Sequence, residues 1–274
     1  MRSRKLKMLE KNIDRYAAVI EDNPAACAGE WRARCMPQAR AVRLDLGCGK
    51  GSFTARMAAA EPDVLFIGLD RENGCVAAAA RNALRVGVTN VVYARGDAAD
   101  VGQLFAPGEL DLIYLNFCTP FPPTKQAPMR LTHIDHLARY RGVLAPGGAI
   151  RFKTDHVPLF EFSRRQFEIA GYRIQWLTTD LHAFHPDEVM TDYEEILIAK
   201  GAVVHALQAV PGPAPAHMKQ TAPLGLVAYL PEDLDSLTYE PYGMETTIFN
   251  MRNRKANAER KAAERAAKKS AGTP

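Results

Sequence analysis

The chain has 274 residues, 47% hydrophobic and 24% charged, ample to bury a core without disulfides or metals to staple it. Its five cysteines, Cys27, Cys35, Cys48, Cys75 and Cys118, are scattered with no CxxC pair, which argues against a disulfide framework or a cysteine zinc site and for a reducing compartment. A net charge of +4 permits a polyanionic partner; with no apolar run behind Met1 and no stretch of about 20 apolar residues, a cytoplasmic protein without membrane association is expected.

No repeat of fixed period is visible. Residues 5–20 read as a basic, partly amphipathic helix followed by a loop through Asn23-Pro24. From residue 41, short apolar runs alternate with helix-like segments. The runs are 41–46, 64–69, 90–94, 110–116 and 149–154; the helical segments between them are 52–60, 72–86, 98–105 and 134–142. Strands that are apolar throughout, each followed by a helix, predict a parallel sheet covered on both faces. Two further runs, 172–178 and 194–199, are expected to pair antiparallel at the sheet edge. Pro211-Gly-Pro-Ala-Pro215 is a linker by composition. Residues 224–243 show no clear period, and residues 252–269 are an alanine-rich helix dense in Lys and Arg. The expected organisation is an N-terminal basic segment (1–40), a catalytic domain (41–210) and an extension (211–274).

The sharpest local signal is Leu44-Asp45-Leu46-Gly47-Cys48-Gly49-Lys50-Gly51, at the end of the first run and entering a helix. A dinucleotide loop would use G-x-G-x-x-G to seat pyrophosphate on the helix N-terminus. Here Gly47, Gly49 and Gly51 are spaced G-x-G-x-G, and Asp45 stands two residues before the first of them. A carboxylate repels pyrophosphate but suits the ammonium of an amino-acid moiety, which S-adenosyl-L-methionine carries beside its sulfonium. Asp70, ending the second run, suits the ribose hydroxyls; Asp97, after the third, suits the adenine amino group. Each aspartate alone is equally a helix N-cap. Three in register at consecutive strand ends point to the cofactor.

With those residues in hand, the chain resembles the bacterial tRNA (guanine-N7)-methyltransferase family from about residue 1 to 205. The marks are Arg2-Ser-Arg-Lys5 with Glu10, the glycine loop, Tyr114-Leu-Asn-Phe117, Phe152-Lys-Thr-Asp155 with Leu159-Phe-Glu-Phe162, Asp180-Leu-His182, and Met190-Thr-Asp-Tyr-Glu194. The resemblance implies a Rossmann-like class I α/β fold, a mostly parallel seven-stranded sheet with an antiparallel edge strand. It also implies methyl transfer from S-adenosyl-L-methionine to the variable-loop guanosine of tRNA conventionally numbered 46. Asp155, Thr191 and Glu194 are implied to hold the guanine, Asn116 and Thr119 to line the cofactor site, and Thr119 to share the catalytic position. After the fourth run the family reads Asp-Pro-Trp-Pro-Lys and then a basic stretch. This chain has Thr119-Pro-Phe-Pro-Pro123, and much of the basic stretch is absent.

Guanine N7 has an in-plane lone pair and no proton, so methyl transfer to it needs positioning more than a general base. RNA phosphates dominate affinity in such systems; the candidate contacts are Arg2, Arg4, Lys5, Lys125 and Arg130, then the tail from Arg252, which would replace the lost basic stretch. His182, His185 and Asp187 have an H-x-x-H-x-D spacing, read as a surface loop and not as a metal site. Trp31 and Trp176 are read as packing anchors, Cys48 as a small packing residue. Two rival readings remain: a methyltransferase acting on another nucleobase position, and a cofactor- or RNA-binding paralogue without turnover. A monomer or homodimer fits either.

Overall fold

A computed structural model gives the fold, and it describes residues 4–237 and 239–271, with side chains described as far as residue 264. Helix α1 (Arg4–Glu10) leads through a 3-10 turn (Ile13–Val19) into a two-residue strand β1 (Ile20–Glu21), then α2 (Trp31–Cys35). The alternating core follows: β2 (Ala41–Leu46), α3 (Ser52–Ala60), β3 (Val64–Asp70), α4 (Asn73–Val86), β4 (Val91–Arg95), α5 (Val101–Leu104), β5 (Leu110–Asn116), α6 (Ile134–Val143), β6 (Leu144–Thr154) and α7 (Val157–Ile169). It closes with β7 (Tyr172–Thr178), α8 (Leu181–Phe184), α9 (Asp192–Ile198) and β8 (His205–Pro211), after which the extension ends in the long helix α10 (Glu245–Ala271).

The sheet has eight strands in the order β1-β4-β3-β2-β5-β6-β8-β7. All pairs from β1 to β6 are parallel, whereas β8 runs antiparallel to both β6 and β7. The count exceeds the expected seven because Ile20–Glu21 adds a short parallel strand beside β4. Chain order reverses at β2, which lies between β3 and β5. Such a reversal parts the loops at the strand carboxyl ends and opens a crevice there.

The second antiparallel strand is not residues 194–199, as the sequence suggested, but His205–Pro211. Residues 192–198 form α9 because Thr191 and Glu194 make a reciprocal capping box, each side chain bonding the other's backbone N–H. The apolar run Ile196-Leu197-Ile198 lies on a helix that buries Leu197, and a run that short has no decisive period. Helix α7, with Pro158 in its first turn and Phe160, Phe162 and Phe167 buried, is a further element the alternation did not mark.

Trp31 is fully buried, stacked at 5.6 Å on Phe105 and donating Nε1–H to the Leu104 carbonyl. The extension is not a detached tail. Leu226, Met244 and Ile248 are buried in the main core cluster, and Tyr229 packs edge-on against Phe162 of α7. Among the described residues no helix is long and apolar enough to cross a membrane.

Candidate active site

The turn after β2 needs left-handed backbone three times, and Gly47, Gly49 and Gly51 supply it with φ of 79°, 56° and 68°. At Gly51 a Cβ would also come within 2.5 Å of the Ala79 Cβ, so the loop lies directly against α4. The Gly47 and Cys48 amides donate to the Leu69 carbonyl, and the Gly49 amide donates to Asp70. These three donors are spent inside the fold and do not form a phosphate cradle. The sequence argument against pyrophosphate therefore has a geometric counterpart.

A crevice of about 560 Å³ opens at the carboxyl ends of the central strands, with Asp70, Asp97, Asn116 and Thr119 on its walls and Gly47 at its foot. Asp70 Oδ2 and Oδ1 accept from the amides of Gly49 and Glu72, which fixes the carboxylate while leaving each oxygen a second lone pair. Asp97 caps the turn that follows it through the Ala99 amide. The N-cap reading and the ligand reading thus hold for the same residue. The buried Asn116 Oδ1 has no partner. An orphaned acceptor on a crevice wall is a place for a ligand's N–H or ammonium.

Asp45 does not line that crevice. It is buried beneath the loop, where Oδ2 accepts from the Thr54 hydroxyl at 2.6 Å and Oδ1 faces Asn116 Nδ2 at 3.4 Å. Burial pushes its carboxyl up to about 6, against the pull of Thr54 and Lys153. A cation held in the crevice near Asn116 favours the ionised form, so binding near pH 6 should release a proton. Affinity for a cationic cofactor is then expected to weaken as pH falls through about 6 and to level off above it. Titration calorimetry in buffers of different ionisation enthalpy reads this directly; an affinity unchanged between about pH 5 and about pH 8 would remove Asp45 from the site.

A second pocket of about 390 Å³ adjoins the first, and Phe117, Cys118 and Thr119 line both. Its floor holds Asp155, whose Oδ2 is buried with no hydrogen-bond partner. Burial raises the Asp155 carboxyl above its ordinary range, with the Tyr239 hydroxyl acting in the opposite sense. Phe117 and Tyr193 meet edge to face at 5.6 Å on one side. Phe117 and Phe121, at the two turns of the connecting loop, have φ of 47° and 45°. Left-handed backbone on aromatic residues costs about 1–3 kcal/mol and is tolerated where the surroundings enforce it.

Arg130, Glu194 and Thr191 have partners inside the fold that the sequence did not indicate. Arg130 is not a surface cation: it is 1% exposed, donates to the carbonyls of Pro120, Phe121, Pro122 and Leu224, and lies 4.3 Å over the Phe162 ring. A guanidinium's five donors can close a proline-rich loop whose carbonyls have few backbone N–H groups to meet. Glu194 is fully buried and committed, taking Lys153 Nζ at 2.7 Å, the Thr191 amide at 3.0 Å and His182 Nε2 at 2.9 Å. Thr191 is occupied as its cap. Both hold α9, and with it Tyr193, against the sheet; Glu194 meets its partners inside the fold, while the half-buried Thr191 keeps its own O–H as a donor. His182 belongs to this network, and among the described residues no three His, Cys, Asp or Glu side chains form a metal-holding group.

Arg4, Lys5 and Lys125 are exposed. Helix α1 packs through Leu9 on Ala77 and Ala78 of α4. Arg2 lies outside the described residues. Arg252 is tied to Asp235 and Glu240, leaving Arg254, Lys255, Arg260 and Lys261 as the exposed cations of α10 with described side chains. Tyr193, a wall of the second pocket, and Lys153, which pairs with Glu194 beneath it, stand inside quoted blocks, but only packing assigns them a task.

A doubly wound sheet with this glycine turn and these acidic strand ends defines a Rossmann-like methyltransferase. A family described as "Putative methyltransferase" matches residues 39–207. The tRNA (guanine-N(7)-)-methyltransferase of Lactococcus lactis subsp. cremoris (strain MG1363) is 35% identical over 212 residues, 76% of this chain and 97% of that protein. That of Streptococcus pyogenes serotype M18 (strain MGAS8232) is 36% identical over 210 residues, covering 76% and 99%. The protein belongs to this methyltransferase family. In fold it is similar to the 16S rRNA methyltransferase KamB (TM-score 0.52, 16% identity, covering 66% of this chain and 92% of that one). A second likeness is to a 16S rRNA (adenine(1408)-N(1))-methyltransferase from Catenulisporales acidiphilia (TM-score 0.50, 20% identity, 69% and 92%).

Proposed function

We propose that the protein transfers a methyl group from S-adenosyl-L-methionine to N7 of a guanine in tRNA, the variable-loop guanosine. The observation that carries this reading is the buried, unpartnered Asp155 oxygen at the floor of a pocket that joins the crevice through Thr119. A carboxylate there accepts the N1–H and exocyclic N–H of guanine, a donor pair that adenine lacks. The crevice residues fit the cofactor: Asp70 for the ribose hydroxyls, Asp97 for the adenine amino group, Asn116 for the ammonium. When bound, the cofactor would supply an electrophilic methyl for in-line transfer to the N7 lone pair, the C–S bonding pair returning to sulfur and the positive charge passing to the base.

No proton has to leave N7, so this chain's residues act by holding the base in line and by excluding water. Thr119, at the junction of the two pockets, borders the transfer path. Arg4, Lys5, Lys125 and the exposed cations of α10 are the proposed phosphate contacts, in a soluble cytoplasmic enzyme with tRNA as its partner. Removing residues 256–274 spares the buried Met244 and Ile248. It should weaken tRNA binding and flatten the salt dependence by about two to four units of slope; an unchanged slope would leave α10 without a role in RNA binding.

The decisive test is incubation with labelled S-adenosyl-L-methionine and bulk tRNA, followed by digestion to nucleosides. Label in 7-methylguanosine supports the reading. Label in another nucleoside replaces the substrate atom, and no incorporation by a protein that binds the cofactor makes it a binding paralogue.

A further inference from the structure

The family match stops at residue 207, yet one wall of the second pocket is Tyr242. The extension is built onto the divergent loop by specific contacts. Leu226 donates its amide to the Pro122 carbonyl, and Arg130 bridges Pro120, Phe121 and Pro122 on the loop to Leu224 on the extension. Gly243, at φ 78°, lies against Pro122, where a Cβ would sit 3.5 Å from the proline ring. Pro241 and Met244 on either side of Tyr242 are buried, and the Met244 amide closes a turn on the Pro241 carbonyl.

The backbone at Tyr242 is therefore held firmly while its ring is 62% exposed at the pocket mouth. An aromatic ring on an anchored turn at a pocket mouth offers its face to a ligand at little cost in side-chain ordering. Phe117, Tyr193 and Tyr242 surround the space above Asp155. Three π faces beside a carboxylate form an environment for a flat, electron-poor ring bearing positive charge.

We propose that Tyr242, carried by the C-terminal extension, is a substrate-contacting residue that stacks on the target guanine and stabilises the positive charge arriving on it. The extension supplies this contact beside Thr119, a pocket residue that carries no charge. The proposal rests on the guanine-N7 reading above. Because the cation exists only after methyl transfer begins, part of the effect belongs to the transition state and lowers kcat as well as raising KM.

The experiment compares full-length wild type with Tyr242→Phe and Tyr242→Leu, measuring kcat and KM for tRNA, the cofactor Kd and the melting temperature. The exposed ring makes both variants foldable. Tyr242→Leu keeps apolar bulk without a π face and should lose about 10–100-fold in kcat/KM, with kcat itself reduced and the cofactor Kd unchanged. Tyr242→Phe should stay close to wild type. As a second readout, 7-methylguanosine monophosphate should inhibit the wild type more strongly than guanosine monophosphate, and Tyr242→Leu should lose that preference. A Leu variant with wild-type kcat/KM and the same nucleotide preference overturns the proposal and leaves the function standing. A wild type that places no methyl group on guanine N7 overturns both.

Discussion

Replacing Glu194 with alanine is expected to lower the unfolding free energy by about 3–5 kcal/mol, the range for breaking a buried ion pair from one side. Lys153 Nζ would lose its direct ion pair and keep the Val189 carbonyl, the face of Phe53 5.0 Å away and the more remote attraction of Asp45, inside an environment that leaves it 1% exposed. The change also removes half of the capping box, adding about 1 kcal/mol to the loss at the start of α9. Urea denaturation reads it as a lower midpoint with unchanged slope. Replacing the pair together, Lys153→Met with Glu194→Leu, should recover most of the stability, because two well-packed apolar groups need no desolvated partner. A Glu194→Ala protein within about 1 kcal/mol of wild type but unable to methylate would restore Glu194 to the role the sequence suggested, that of a base-reading residue.

The second large effect is on catalysis. Asp155→Asn is expected to reduce kcat/KM for tRNA by about 10²–10³-fold, in line with a buried charged partner exchanged for a neutral one that turns a donor toward the base. Cofactor affinity should be unchanged, since Asp155 lines the second pocket and not the crevice. The melting temperature should hold or rise, because burial disfavours the ionised carboxyl already. The same raised carboxyl predicts an acidic limb in the pH–rate profile. Asp155 accepts two N–H groups only when ionised, so activity falls as pH drops through a value above the ordinary carboxylate range, and Asp155→Asn abolishes that limb. A transcript with inosine at the target position, lacking the exocyclic amine, should be a poor substrate for the wild type and only slightly worse than guanosine for the variant. Equal discrimination by both proteins would place the base elsewhere.

The residues that could be assigned from sequence are those whose chemistry is local. Gly47, Gly49 and Gly51 are demanded by a turn contained within eight residues. Asp70 and Asp97 follow from strand ends that alternation alone makes recognisable, and both line the crevice. Asp45 belongs to the same segment, but its placement beneath the loop depends on Thr54 and Asn116, the latter from a distant strand. Thr191 and Glu194, expected only to hold the guanine, also form the capping box of α9, and the burial of Lys153 beside Glu194 fixes that cap in place. Residues 194–199 were ambiguous, since a short apolar run fits a strand and a helix turn equally well.

What the sequence by itself determined was the alternation of apolar runs and helices, the tight glycine turn and the acidic strand ends, because backbone sterics and side-chain periodicity act over a few neighbouring residues. What only the tertiary structure decided was which charges face solvent and which elements share a wall. Arg130 became an internal clamp because the extension returned across the proline loop and removed it from water. Tyr242 reached the pocket of Asp155 from the extension, beyond the end of the sheet. Burial and long-range contact are properties of the whole packed molecule, and a single segment carries no record of what will cover it.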